Sequence, residues 1–444
     1  MRARTFGSRA NLVGLLVALS VLLVIACGPG TAVFVDGSGA FGYAEAAGDA
    51  PSPLLGQGHP VDWWFTFKFN AASFPRCGGG SGEQRTCPFG GTAQAYAGGF
   101  GEQFVYASSE DPALQKGSGC AGETSNDPVG ATFGQIYESG FYYVIWNDQF
   151  HGDPKLDCAN SNGDCPKPWG HSKGLLAWNE AGEGLVLQVS TPSWPAAGSK
   201  SHPRTIGNTL GCIKPPSNIL VSQHFFSLKL TKDDLVIMLK ALQNASVATK
   251  PTNPQIVKNG GPADVQDLVA HLGVRSTSDT YAKDTLSSGV MVLSKPSHLE
   301  VPPWQMVSAA LGGVSLRVAT WWSDSRAKIY TTTAIAKISC WKSVLGKRGR
   351  VEIATTGQWE GKELGLEGGP RAGANHAKIG VSLSGNHHYA IFGDMNQEGA
   401  LSGNCSAAQN GRGGLFFVVD NQALYDSVTG LIDGNTAPTK APKH

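Results

Sequence analysis

Two tripeptides hold the residues best suited to chemistry, His171-Ser172-Lys173 and His376-Ala377-Lys378. In each, an imidazole and an ammonium stand two residues apart, a spacing that points both side chains to one face of a β-strand. Two such faces meeting around one phosphate supply the parts of a reaction. A neutral imidazole attacks phosphorus, and a second, protonated imidazole gives its proton to the departing oxygen. The two lysines hold the non-bridging oxygens as negative charge builds, a task other sites give to a metal ion. Such chemistry calls for no metal and no cofactor. His171 is assigned the attack and His376 the acid that later activates water, with the reverse left open by the near-symmetry of the phrases. The imidazoles titrate as a coupled pair, so activity should follow a bell with an acidic optimum. Of the eleven histidines only these two begin His-x-Lys, yet a tripeptide is weak alone and its surroundings must support it.

The surroundings repeat. Residues 174–179 and 183–189 read as a hairpin about Glu180-Ala181-Gly182, and residues 380–384 and 388–396 as a second about Gly385-Asn386. With the lysines in register, the first hairpin closes on Ser190-x-x-Ser193 and the second on Gly393-x-x-Asn396, an internal repeat of a whole hairpin. Residues 61–69 and 141–146 read as buried strands, the latter running into Asn147-Asp148-Gln149, whose polar groups suit a turn or a site. Helical spacing runs from Thr231, a plausible N-cap, to Ser246, and again over 262–272 and 303–311; residues 289–293 and 316–322 are strand-like. Only 16% of residues are charged and 58 are glycine, the profile of turns and short strands in a folded α/β or α+β chain.

His-x-Lys followed by Gly-x-x-Asn resembles the phospholipase D superfamily, and longer phrases resemble deoxyribonuclease II. They are Pro60-Val61-Asp62-Trp63, Asn147-Asp148-Gln149, Gly170-His171-Ser172-Lys173-Gly174, Gly207-Asn208-Thr209-Leu210, Ala309-Ala310-Leu311-Gly312, Gly393-Asp394-Met395-Asn396 and Arg412-Gly413-Gly414, in family order. The resemblance implies two similar α/β halves with mixed sheets flanked by helices, related by a pseudo-twofold about one active site. It also implies an endonuclease acting on DNA, double-stranded for preference, through a phosphohistidine and leaving 3′-phosphate ends. Catalytic candidates are His171, Lys173, His376, Lys378, Asn396, Asn179 and Ser193; Asn147, Asp148, Asp394 and Arg412 are candidates for binding substrate. The superfamily's Asp six residues after each Lys is replaced by Asn179 and Ser384, and Ser193 stands where the family more often has Asn. All keep a hydrogen-bonding side chain. Two alternatives differ in class: a lipid phosphodiesterase, which predicts the missing Asp and an apolar entrance loop, and a non-catalytic DNA-binding homologue. Trp63, Trp64, Trp321 and Trp322 suit core or base stacking, and His387 and His388 suit the surface.

Residues 1–27 read as an export signal, with Arg2, Arg4 and Arg9 ahead of a short apolar run. Val24-Ile25-Ala26-Cys27 resembles a lipobox that would make Cys27 a lipid anchor; cleavage after Ala44-Glu45-Ala46 is the alternative. The product is expected to be periplasmic, lipid-anchored or secreted. Losing three arginines and no acid takes the formal charge from +1 to −2, so attraction to DNA should grow as histidines protonate below about pH 6. Residues 28–57 read as a Gly/Ala/Pro-rich linker, 58–247 and 256–436 as the two halves, and 437–444 as a tail; a homodimer is allowed. Eight cysteines lie beyond the signal, and an even count in an exported chain suggests disulfides. Cys77 with Cys87, and Cys158 with Cys165, are near enough to close small loops; the other four are open. A zinc cluster is disfavoured by the absence of Cys-x2-Cys or His-x3-His spacing.

Overall fold

Strand pairing begins with two short segments early in the chain. In the computed structural model, which describes residues 32–35, 41–44, 50–77, 87–92, 99–213, 217–322 and 329–439, β1 (Ala32–Val35) and β2 (Phe41–Ala44) pair antiparallel within a unit ending at Asp49. The expected export signal and Cys27 lie outside the described residues.

The unit from Ala50 onward holds two large sheets. The first is built from β3 (Trp63–Lys68), β4 (Phe104–Ser108), β5 (Gln115–Lys116), β6 (Tyr142–Asn147), β7 (Lys173–Trp178), β8 (Gly184–Val189), β9 (Gln223–Leu230) and β10 (Val257–Lys258). Its order is β10-β6-β7-β8-β9-β3-β4-β5, antiparallel throughout. The second uses β11 (Ala282–Thr285), β12 (Met291–Lys295), β13 (Leu316–Ala319), β14 (Val351–Ile353), β17 (Ile379–Ser382), β18 (Tyr389–Gly393) and β19 (Gly414–Asp420), in the order β11-β12-β19-β18-β17-β13-β14. Only its β13–β14 pair is parallel. A small ribbon joins β15 (Thr356–Trp359) to β16 (Lys362–Gly365). Helices α1 (Pro128–Glu138), α2 (Ser217–Leu220), α3 (Lys232–Asn244), α4 (Ala263–Ala270), α5 (Pro303–Ala310) and α6 (Gln422–Leu431) complete the α/β fold.

The chain repeats itself across the sheets: β3-α1-β6-β7-β8-β9-α3, then β12-α5-β13-β17-β18-β19-α6. Register makes the repeat residue-specific. Gly174 pairs with Trp146 and Gln188, as Ile379 pairs with Ala319 and Phe392. Counting outward with Lys173 on Lys378, Asp148 corresponds to Trp321, Ser190 to Asp394, Ser222 to Gly413, and Lys68 to Lys295. Ser193 therefore corresponds to Gln397, one residue past the match with Asn396 that spacing alone suggested. The difference arises because the two hairpins bend through turns of unequal length.

Local sequence explains the main elements. β7, β8, β17 and β18 are buried at every position, so they read as apolar runs without alternation. Helix α3 lies against β8, and α6 against β17 and β18. Phe392 stacks on Phe65 at 4.3 Å and packs on Phe226 at 4.9 Å, with Phe417 beside it, so aromatic faces join the sheets. The Thr231 hydroxyl accepts from Asp234 N and the Asp234 carboxylate accepts from Thr231 N, a capping box that starts α3. That helix then packs against strands of both sheets.

All eight cysteines are bonded, as Cys77–Cys120, Cys87–Cys212, Cys158–Cys165 and Cys340–Cys405. Cys158–Cys165 closes the small loop expected of it. Cys77 and Cys87 do not pair together, because Cys77 sits in a small apolar cluster with Cys120, Phe100 and Ile219. Four disulfides fit an oxidising compartment. Among the described residues no helix is long and apolar enough to cross a membrane.

Candidate active site

The two His-x-Lys phrases precede strands β7 and β17, and each is held by the other half. His171 N donates to Gly413 O and His376 N donates to Ser222 O, both at 2.8 Å. These acceptors are counterparts in the repeat, each just before the strand that flanks the opposite hairpin, so the exchange is reciprocal. Ser172 adds a side-chain link, its hydroxyl donating to Asp394 Oδ2 at 2.6 Å while accepting from Trp146 Nε1 at 2.8 Å. Glycine at 174 permits this: a Cβ there would lie 2.5 Å from the Trp146 ring and 2.6 Å from Leu187 O. Asp394 also accepts from Gln188 Nε2 at 3.1 Å and Leu415 N at 3.1 Å. Burial pushes its carboxyl up to about 7 against these donors.

In the first half, one carboxylate gathers donors from three basic side chains. Asp148 follows β6 and is 1% exposed. It accepts from Lys173 Nζ at 2.5 Å, His171 Nδ1 at 2.9 Å and Arg412 Nη2 at 2.9 Å. Burial alone would raise its pKa, but Lys173, His171 and Arg412 hold it well below the usual carboxylate range. Arg412 reaches it from the C-terminal half and also donates to Trp169 O, Cys165 O and Gly170 O. Nδ1 keeps its proton and donates it to the carboxylate in a hydrogen bond, and His171 Nε2 is left buried with no partner among the described residues. Burial, with Lys173 beside it, lowers this imidazole to about 3, against the pull of Asp148.

The second half holds its imidazole without a carboxylate. His376 Nδ1 lies 2.7 Å from Ser190 O and 3.3 Å from Gln223 Oε1. A carbonyl only accepts, so Nδ1 carries the proton and Nε2 keeps a lone pair. Lys378 Nζ donates to His376 O at 2.6 Å and lies against the ring, 3.0 Å from Nδ1 and 3.4 Å from Nε2. Trp321 meets the ring edge-on with centroids 5.8 Å apart. Burial, Lys378, Lys173 and His171 together hold His376 well below its ordinary value. Lys378 is likewise well below its own, through burial and the charge of Lys173. An anion bound beside Lys378 would offset both its burial and the Lys173 charge.

The remaining sequence candidates fall at different distances from this centre. Asn396 is buried, and both atoms of its amide lack a partner among the described residues. Ser193, at φ 61°, donates to Gln149 O at 3.5 Å, and Arg204 holds its carbonyl at 2.6 Å. Asn147 is buried, braces Thr191 O and Trp194 O, and accepts from Gln149 N. Asn179 is not brought to the centre. It follows the far end of β7, about 20 Å of strand from Lys173, where its Oδ1 accepts from Ala181 N and Glu183 N in the turn. His387 pairs with Asp420 in the exposed turn of the second hairpin. Trp64 and Trp322 are core.

A cleft of about 160 Å³ opens on His376, walled by Trp321, Gln149, Gln223, His151 and Pro192. Gln149 belongs to the Asn147-Asp148-Gln149 phrase read from the sequence. His151 and Gln223 escaped sequence reasoning, as did His224, whose buried Nδ1 accepts from Lys378 N at 3.2 Å. Gln223 and His224 sit inside an apolar strand with no motif around them.

His171 and Lys173 both act on the charge of His376, and Lys173 on that of Lys378, so the two phrases lie near one another in a buried, cation-rich region. No curated protein sequence matches the chain. The sequence pattern of the Deoxyribonuclease II family matches residues 52–436, nearly the whole described unit, so the chain belongs to that family and is a hydrolytic deoxyribonuclease.

Proposed function

We propose that the protein is a metal-independent acid endonuclease that cuts double-stranded DNA through a phosphohistidine and leaves 3′-phosphate ends. One observation carries this reading: both imidazoles have Nδ1 tied to an acceptor and Nε2 directed away from it, each with a lysine alongside. One Nε2 attacks phosphorus while the other protonates O5′. The second then takes a proton from water, which displaces the first. Lys173 and Lys378 neutralise the non-bridging oxygens, and the orphaned Asn396 amide supplies a further donor. Neutral imidazoles in the empty site gain protons more readily once a phosphate offsets the lysines, which favours mildly acidic pH. Residues 58–247 and 256–436 each contribute half of this site. Export under the direction of residues 1–27 would put the enzyme outside the cytoplasm.

The test is supercoiled plasmid incubated in EDTA at pH 5 and pH 8, beside His171→Ala and His376→Ala. Nicking at pH 5 in chelator, lost in both variants, is the expected result, with ends that a polymerase extends only after phosphatase treatment. Cleavage that needs a divalent metal, or that survives loss of both imidazoles, overturns the mechanism.

A further inference from the structure

The internal repeat gives His171 and His376 equivalent backbone positions, so their different neighbours can divide the labour between them. Given the phosphohistidine chemistry proposed above, the geometry points to His376 as the nucleophile and His171, backed by Asp148, as the acid and then the base. This reverses the order assigned from the sequence.

Three observations converge. The strand register that equates Lys173 with Lys378 equates Asp148 with Trp321. Where the first half places a carboxylate 2.9 Å from its imidazole, the second places an indole edge. An acid must begin the reaction as imidazolium, which needs an acceptor for each of its two N–H groups and a counter-charge. Asp148 supplies both needs at Nδ1, the phosphate offsets the burial and the Lys173 charge that otherwise hold the ring at about 3, and O5′ takes the other proton. A nucleophile must begin neutral. His376 has a neutral carbonyl at Nδ1 and the Lys378 ammonium against its ring, both of which disfavour a second proton and keep the Nε2 lone pair free. Access agrees, because His376 lines the cleft beside Trp321, Gln149 and Gln223, whereas the back of His171 is sealed by the Asp148, Lys173 and Arg412 cluster.

The steps balance. The His376 Nε2 lone pair forms the N–P bond as P–O5′ breaks, and O5′ leaves with the Nε2 proton of His171. His171, now neutral, takes a proton from water as the water oxygen bonds phosphorus. The N–P bond then breaks, its electron pair returns to His376, and a 3′-phosphate departs. Trp321 cannot ionise, so no carboxylate steadies the phosphorylated ring, which makes His376 the better leaving group in the second step.

The experiment uses the p-nitrophenyl ester of thymidine 3′-phosphate, whose leaving group needs no proton, beside plasmid DNA. His171→Asn, which keeps a hydrogen-bonding side chain toward Asp148, should nick plasmid on the order of 10²–10⁴-fold more slowly. It should still release nitrophenolate in a stoichiometric burst, because attack survives and hydrolysis stalls. Alkaline quench and peptide mass mapping should place the adduct on His376, in this variant and in rapidly quenched wild type. An adduct on His171 in wild type, or a burst that persists in His376→Asn and is lost in His171→Asn, overturns the assignment and leaves the covalent mechanism standing. No adduct in any folded form, with inversion at a phosphorothioate centre, overturns both.

Discussion

Replacing Asp148 with Asn tests how much of the site depends on one charge. The side chain is 1% exposed and receives Lys173 Nζ at 2.5 Å, His171 Nδ1 at 2.9 Å and Arg412 Nη2 at 2.9 Å. Asn keeps the shape but offers one acceptor and no charge. At about 3 Å and an effective dielectric of 20, each lost attraction is worth roughly 5 kcal/mol before solvent and neighbours readjust. Removing one partner of a buried ion pair typically costs about 3–5 kcal/mol, so Asp148→Asn should lose stability at the lower end of that range. The carboxyl titrates well below 3.8 in the fold, so its contribution is complete above about pH 4 and is lost only as pH falls through the lower folded value. The loss should therefore be equally visible in melts at pH 5 and pH 7. Activity follows a separate route. Asp148 opposes the burial and the Lys173 charge that lower His171 to about 3, so its removal lowers His171 further and moves the alkaline limb of the pH profile toward acid. Plasmid nicking in EDTA, followed from pH 4 to 7, should fall on the order of 10²–10⁴-fold. Hydrolysis of the nitrophenyl ester should show a smaller loss in its burst phase. A variant that melts below wild type yet nicks within about threefold of it, with an unmoved alkaline limb, would refute the link between Asp148 and His171.

Two further outcomes follow from the buried groups. Asp394 is raised to about 7, so the folded protein holds a proton that the unfolded chain has released between about pH 4 and 7, and this contribution is present below pH 4 and lost as pH rises through 7. Asp394→Asn mimics the protonated form and should gain stability relative to wild type, by up to about 4 kcal/mol, between pH 4 and 7.5; parallel melting curves across that range would contradict it. The Cys87–Cys212 bond spans 125 residues and Cys158–Cys165 spans 7. Chain entropy then predicts that the paired serine replacement costs about 5 kcal/mol for the first and about half that for the second. Equal losses in denaturant titrations would point to strain or residual unfolded structure instead.

Much of this was legible because strand signals are local. The apolar runs after Lys173 and Lys378, the capping box at Thr231, and the order of family phrases each depend on neighbours in sequence. Arg412 and Asp148 were recognisable as phrases, but their pairing joins residues from opposite halves and has no periodicity to betray it. Asn179 shows the converse failure. Its place six residues after the lysine fits the superfamily pattern, yet a strand carries it away from the site at about 3.3 Å per residue, and the turn claims its amide. Gln223 and His224 were hidden for a third reason. They lie in a strand buried on both faces, where apolar and polar residues no longer alternate.

The internal repeat makes these hidden contacts interpretable. A symmetric pair of imidazoles would be poorly suited to an asymmetric displacement, since attack and protonation demand opposite starting charges. The backbone keeps the symmetry, through the reciprocal bonds from His171 N to Gly413 O and from His376 N to Ser222 O. Side chains break it beside the imidazoles, where Asp148 of the first half corresponds to Trp321 of the second. The two halves can therefore share a fold and a set of lysines while giving two chemically identical rings different partners, a carboxylate at His171 and a carbonyl at His376. Exchanging the identities at 148 and 321 should disable the enzyme rather than simply reverse it, because Lys173 and Arg412 would lose their common acceptor while the cleft beside His376 gained a charge that repels phosphate.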